Sequence, residues 1–154
     1  MALFDRENDM VTVVCHHLVA NGYQVFREVA YYGRRMDVLA LRNNQFWAYE
    51  AKLTQWSRAL GQARWNVTAV DFSSVVLPLP LAERVDLLPF RRHGLGVIGI
   101  THQQWVTLVP PVTSALMWEP AKAQLFRTVQ AFRDAGTSLA STPGRVDPGP
   151  SVKS

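Results

Sequence analysis

The sequence predicts an α/β domain, a mixed sheet flanked by helices, and three observations carry that reading. Apolar-rich runs at 23–29, 34–41 and 45–53 are separated only by the short turns Tyr31-Tyr32-Gly33-Arg34 and Asn43-Asn44, which predicts an antiparallel three-strand meander. A helical segment at 54–66 and a Val-rich run at 72–79 follow. Strand, helix, strand in that order predicts a parallel strand after a crossover helix. Helical stripes at both ends of the ordered region supply the flanking layers.

Each element has its own signals. Residues 5–21 read as an amphipathic helix: Met10, Val14, His17 and Leu18 repeat at helical spacing, Asp5 can cap the start, and Asn21-Gly22 ends it. Glu7 and Asp9 suit the positive end of its dipole. In the first strand, Tyr23, Val25 and Val29 fall on one face, Phe26 and Glu28 on the other. The helix at 54–66, with Thr54 as its cap, mixes aromatic and basic residues, and Gly61 inside it costs about 1 kcal/mol relative to Ala. The strand at 72–79 ends at Pro78 and Pro80. A short helix at 82–90, broken near Pro89, leads to the basic run Arg91-Arg92-His93. Strands at 95–101 and 105–109 pair with each other. A last helix spans 119–135, with Pro120 in its first turn.

With 154 residues, 48% apolar and 18% charged, the chain has the means for one ordinary core. We expect one domain over 1–135 and a disordered Pro/Gly/Ser-rich tail over 136–154. The single cysteine, Cys15, excludes an internal disulfide framework and fits a reducing cytosol. With no signal-like or membrane-length segment, a cytoplasmic location is expected. A net charge of +4 is weakly in favour of a polyanion partner.

Chemistry concentrates in the second hairpin. Asp37, Glu50 and Lys52 stand inside runs that otherwise look buried, where isolated charges cost several kcal/mol unless paired or bound to metal. If the hairpin turns symmetrically about Asn43-Asn44, Asp37 falls opposite Glu50 and Arg35 opposite Lys52. Directly opposed residues share a face with Cβ atoms about 4.5–5.5 Å apart, and Glu50 and Lys52 share a face by alternation. Two bare carboxylates about 5 Å apart repel by roughly 3 kcal/mol at an effective dielectric near 20. A divalent cation reverses that sign. If the preceding turn is symmetrical too, Glu28 falls opposite Asp37. His16 and His17 are adjacent and cannot chelate one ion from a helix, so no zinc site is expected.

An acid at 37, then Glu50-Ala51-Lys52 on the next strand, after a helix and strand and before a helix, resembles the PD-(D/E)XK nuclease superfamily. The resemblance covers roughly residues 5–79 and implies a restriction-endonuclease-like core. It implies a Mg²⁺-dependent nuclease acting on DNA, with Mn²⁺ able to substitute. Asp37, Glu50 and the backbone carbonyl of Ala51 would bind the metal, and Lys52 would orient or deprotonate the attacking water and steady the transition state. Glu7 matches an additional acid on the first helix of junction-resolving members, and Glu28 is an alternative donor of that ligand. Gln62 is similar to a glutamine on the following helix of exonuclease-like branches; Asn66 stands where those carry a tyrosine, and Met36 where many members carry proline. Arg34, Arg35, Arg58 and Arg64 are expected to contact the phosphate backbone, and a homodimer would suit cutting of two strands.

Two alternatives use the same residues. One is a catalytically inactive module of the nuclease fold that binds nucleic acid or a protein partner. The other is an ion network of Asp37, Glu50, Arg35 and Lys52 on a half-exposed sheet face, with Leu39 and Phe46 as surface residues.

Overall fold

The computed structural model describes residues 3–136. The expected tail from residue 137 onward lies outside the described residues. Eleven elements follow in order: α1 (Glu7–Ala20), β1 (Gln24–Tyr31), β2 (Arg34–Arg42), β3 (Gln45–Ala51), α2 (Trp56–Asn66), β4 (Phe72–Pro78), α3 (Leu79–Ala82), α4 (Leu88–Arg92), β5 (Gly96–Ile100), β6 (Trp105–Val109) and α5 (Glu119–Asp134).

The strands form one six-stranded sheet in the order β1-β2-β3-β4-β5-β6. The β1–β2, β2–β3 and β5–β6 pairs are antiparallel. The β3–β4 and β4–β5 pairs are parallel, as the crossover through α2 and the α3–α4 connection require. The expected mixed sheet is present, with α1 on one face and α2 and α5 on the other. Met10, Val14 and Leu18 of α1 lie against Val38, Ala40, Tyr49 and Val76. On the opposite face Leu125 and Val129 of α5 meet Phe26, Leu39 and Phe46, while Ala59 and Ala63 of α2 meet Val75 and Leu77. Leu39 and Phe46 are fully buried, so the half-exposed sheet face is excluded.

Both hairpin turns are two-residue turns with left-handed backbone. Tyr32 and Gly33 have φ of 48° and 74°, and Asn43 and Asn44 have 54° and 62°. This geometry matches the twist of paired strands and leaves the hairpins symmetrical. Val38 faces Tyr49 and Arg42 faces Gln45 as predicted, and Val29 faces Met36.

Several local expectations are corrected. Asp5 is not the cap of α1: the helix starts at Glu7, and Arg6 occupies the cap position without a side-chain cap bond. Nor does Thr54 cap α2, since the chain bends at Leu53 and Thr54 and Gln55 occupies the cap position. The helix expected at 82–90 is two short helices, and Pro89 lies in the first turn of α4, where its missing N–H costs nothing. Val29 lies with Phe26, not with Val25, because Glu28 between them has φ of 52°. A left-handed residue inside a strand reverses the alternation beyond it.

Asp71, just before β4, ties the layers together. Its Oδ2 accepts the Phe46 amide at 2.8 Å, and Lys122 of α5 pairs with it at 3.0 Å. The pair is nearly buried, and neither partner stood out in the sequence.

Candidate active site

The site forms where the β2–β3 ladder ends. Regular pairing stops at Val38↔Tyr49. There the Asp37 side chain takes over the role of a strand carbonyl: its Oδ2 accepts the Ala51 amide at 2.9 Å. Glu50 precedes that amide by one residue and points to the face covered by α2. Its Oε2 accepts from Asn66 Nδ2 at 2.9 Å, and Glu50 is only 1% exposed. Asp37 and Glu50 are thus brought together on neighbouring strands, as the turn geometry predicted.

Lys52 leaves the end of β3, where its amide bonds to the Val76 carbonyl at 3.1 Å. Its Nζ lies 3.7 Å from Glu7 Oε1, and Glu7 Oε2 accepts the Leu53 amide at 3.3 Å. The first turn of α1 therefore meets the end of β3, and the acid on the first helix reaches the site. Gln62 lies on α2 one turn before Asn66, on the same face. Its Oε1 is buried and has no hydrogen-bond partner.

The electrostatics are those of two acids forced together. Burial first, and the adjacent Asp37 charge second, push the Glu50 carboxyl up to about 8. Burial also raises Asp37, and Glu7 adds to the rise, opposed by the Ala51 amide and by Lys52. Glu50 Oε1 is buried without any donor. The contact between the two carboxyls becomes a hydrogen bond only when one of them holds a proton.

A cation fits this arrangement. An orphaned buried carboxylate oxygen beside a second carboxylate is what a hard divalent ion satisfies. Among the described residues no group of three or more His, Cys, Asp or Glu forms a fuller cluster. Asp37 and Glu50 come as a pair, with Glu7 beside them in an ion pair with Lys52 at 3.7 Å.

Other predicted residues go elsewhere. Glu28 is not brought to the site: its left-handed backbone turns the side chain out to an exposed pair with Arg35 at 3.2 Å. Arg35 accordingly does not face Lys52. Arg34 stacks its guanidinium 4.1 Å over the Trp65 ring, and with Arg64 it lines a cleft of about 600 Å³ beside α2. Arg58 is exposed and outside that lining. Asn66 was missed as a site residue; its signal was its place four residues after Gln62 on an otherwise amphipathic helix.

No family model matches the chain, and no curated protein matches it. A solved structure of a protein of unknown function from Silicibacter pomeroyi is similar to it in fold: TM-score 0.64, 16% identity, over 86% of this chain and 91% of the other. At that identity the likeness is one of fold alone.

Proposed function

We propose that this chain is a PD-(D/E)XK-type, Mg²⁺-dependent nuclease that hydrolyses DNA phosphodiester bonds at the end of β3. The observation that supports this most is the buried Asp37–Glu50 pair with Glu50 Oε1 left without a donor. On this reading Asp37, Glu50 and the Ala51 carbonyl hold Mg²⁺ or Mn²⁺. The bound ion would polarise the phosphoryl group and lower the pKa of a coordinated water.

The chain's own groups have separable roles. Asn66 holds Glu50 by Oε2 and so leaves Oε1 free to bind. The Ala51 amide fixes Asp37, and through its peptide neighbour sets the direction of Glu50. Lys52, largely shielded from solvent and kept in place by Glu7, meets negative charge as it develops on the phosphoryl oxygens. Gln62 Oε1 is an unused acceptor that can take a hydrogen bond from the attacking water.

The test is metal binding together with cleavage. Isothermal titration with Mg²⁺ or Mn²⁺ should show binding that Asp37→Asn abolishes, with thermal stability unchanged or higher. Single-stranded, duplex and branched DNA should then be offered with each ion, with Lys52→Ala cutting at least about 100-fold more slowly than wild type. Destabilisation by Asp37→Asn with no metal binding in the wild type would refute the reading. Metal binding without cleavage of any substrate would identify the inactive nuclease-fold module.

A further inference from the structure

The cleft of about 600 Å³ beside α2 has a lining that the proposed chemistry does not use. It is walled by Arg34 from the start of β2, Arg64 and Trp65 from α2, Arg92 and His93 from the end of α4, and Leu116 from the segment before α5. No Asp or Glu lines it. Trp65 and Leu116 are exposed apolar side chains, so the lining combines an aromatic and an aliphatic group with cationic ones.

The walls are held in place before any ligand arrives. Val112 donates its amide to the Gly94 carbonyl at 3.0 Å, Ser114 donates its amide to Asp71 at 2.8 Å, and Ser114 Oγ donates to the Val67 carbonyl at 2.7 Å. The Trp118 amide bonds the Thr68 carbonyl at 2.8 Å. One side of the cleft is thus pinned to the end of α2. Gly61 lines the cleft, and nothing beyond its chain neighbours and its own helix backbone lies within 4 Å of where its Cβ would be. Its lack of a side chain is unexplained by internal packing and leaves that wall low.

We propose that this cleft binds an unpaired stretch of a DNA strand, with a base against Trp65 and Leu116 and its flanking phosphates on Arg64, Arg92 and Arg34. The chemistry selects this ligand by two requirements met together. Cationic groups without acidic neighbours attract phosphate. An exposed indole and an aliphatic side chain inside a concave site need a planar apolar group, and only an unstacked base offers its face. Paired bases in a duplex keep their faces covered. Arg34, already stacked on Trp65, is placed to cover the assembly or to move to a phosphate. α2 carries Gln62 and Asn66 on one face and Arg64 and Trp65 on another, so the cleft and the candidate active site share one helix. This deepens the proposed nuclease reading by naming its substrate as single-stranded or splayed DNA, and rests on it only in that respect.

Binding can be measured without catalysis. The full chain, in EDTA, is titrated into a fluorescein-labelled twelve-nucleotide oligothymidine and into a blunt duplex of equal length, with anisotropy as readout. The single strand should bind at least about tenfold more tightly than the duplex. Trp65→Ala should weaken single-strand binding about tenfold, in the range seen for loss of one base–aromatic stack, while Trp65→Phe retains most of it. Arg64→Ala and Arg92→Ala should each reduce the slope of log affinity against log salt by about 0.7. Circular dichroism melting of each variant separates misfolding from lost contacts. Equal or tighter duplex binding, or unaltered binding by folded Trp65→Ala, overturns the proposal. Single-strand preference without metal-dependent cleavage would leave this site standing and remove the nuclease reading, whereas cleavage without that preference would do the reverse.

Discussion

Asn66 Nδ2 donates to Glu50 Oε2 across 2.9 Å, from the last turn of α2 to the end of β3, and both residues are buried. It is the neutral side-chain amide that holds one of the two Glu50 oxygens. Removing it by Asn66→Ala leaves Oε2 as bare as Oε1. The penalty for an unsatisfied buried acceptor is about 1–3 kcal/mol. Chemical denaturation at pH 8 in EDTA should show that loss, and titration should show weaker Mg²⁺ binding, because the carboxylate is no longer held in one orientation. Full stability and unchanged metal affinity would show that Asn66 does not position Glu50.

Glu50 makes metal-free stability depend on pH. Its folded-state pKa of about 8 lies above the ordinary 4.5, so the native state holds the proton more tightly than the unfolded chain. Stability from this group is therefore fully present below about 4.5 and is lost as pH rises through 8. Asp37, also raised, acts in the same direction. Melting temperatures in EDTA should fall between pH 5.5 and 9, and Glu50→Gln should flatten that decline. Saturating Mg²⁺ should flatten it as well, since a cation favours the charged form. A wild-type decline no steeper than that of Glu50→Gln would contradict the buried pair.

Asp71 provides a control outside the candidate chemistry. It accepts the Phe46 amide and pairs with Lys122, joining β3, β4 and α5. Truncating one partner of a buried ion pair leaves the other uncompensated, at a cost of about 3–5 kcal/mol. Asp71→Ala should lower the unfolding free energy from urea denaturation by that amount while leaving the Mg²⁺ affinity of the remaining folded protein near wild type.

Gly61 predicts a gain. It sits inside α2 with nothing beyond its chain neighbours and its own helix backbone near its missing Cβ, so Gly61→Ala recovers helix propensity without a clash. Stability should rise by about 0.5–1 kcal/mol in urea denaturation. Stability that is unchanged or lower would mean that the added methyl is not free of contacts.

The meander and crossover were legible because they rest on local chemistry. Tyr32-Gly33 and Asn43-Asn44 can hold left-handed turns, and a two-residue turn leaves no freedom in register. That alone placed Asp37 beside Glu50, with Lys52 following at the strand's end. Glu28 was placed by the same arithmetic and failed, since a single residue with φ of 52° turned it outward to Arg35. Nothing in the residue type announced that kink.

Contacts between distant segments were settled by the folded packing. The order of the strands in the meander, their register and the pairing of two acids follow from backbone geometry over a few residues and were readable along the chain. The sequence could not place Asn66 against Glu50, Glu7 against Lys52, or the run Arg91-Arg92-His93 beside Arg64 and Trp65. Those contacts join elements whose separation in sequence carries no distance information. Their meeting is set by how α1, α2 and α4 bury their apolar faces on the sheet, and the polar groups are carried into contact with them.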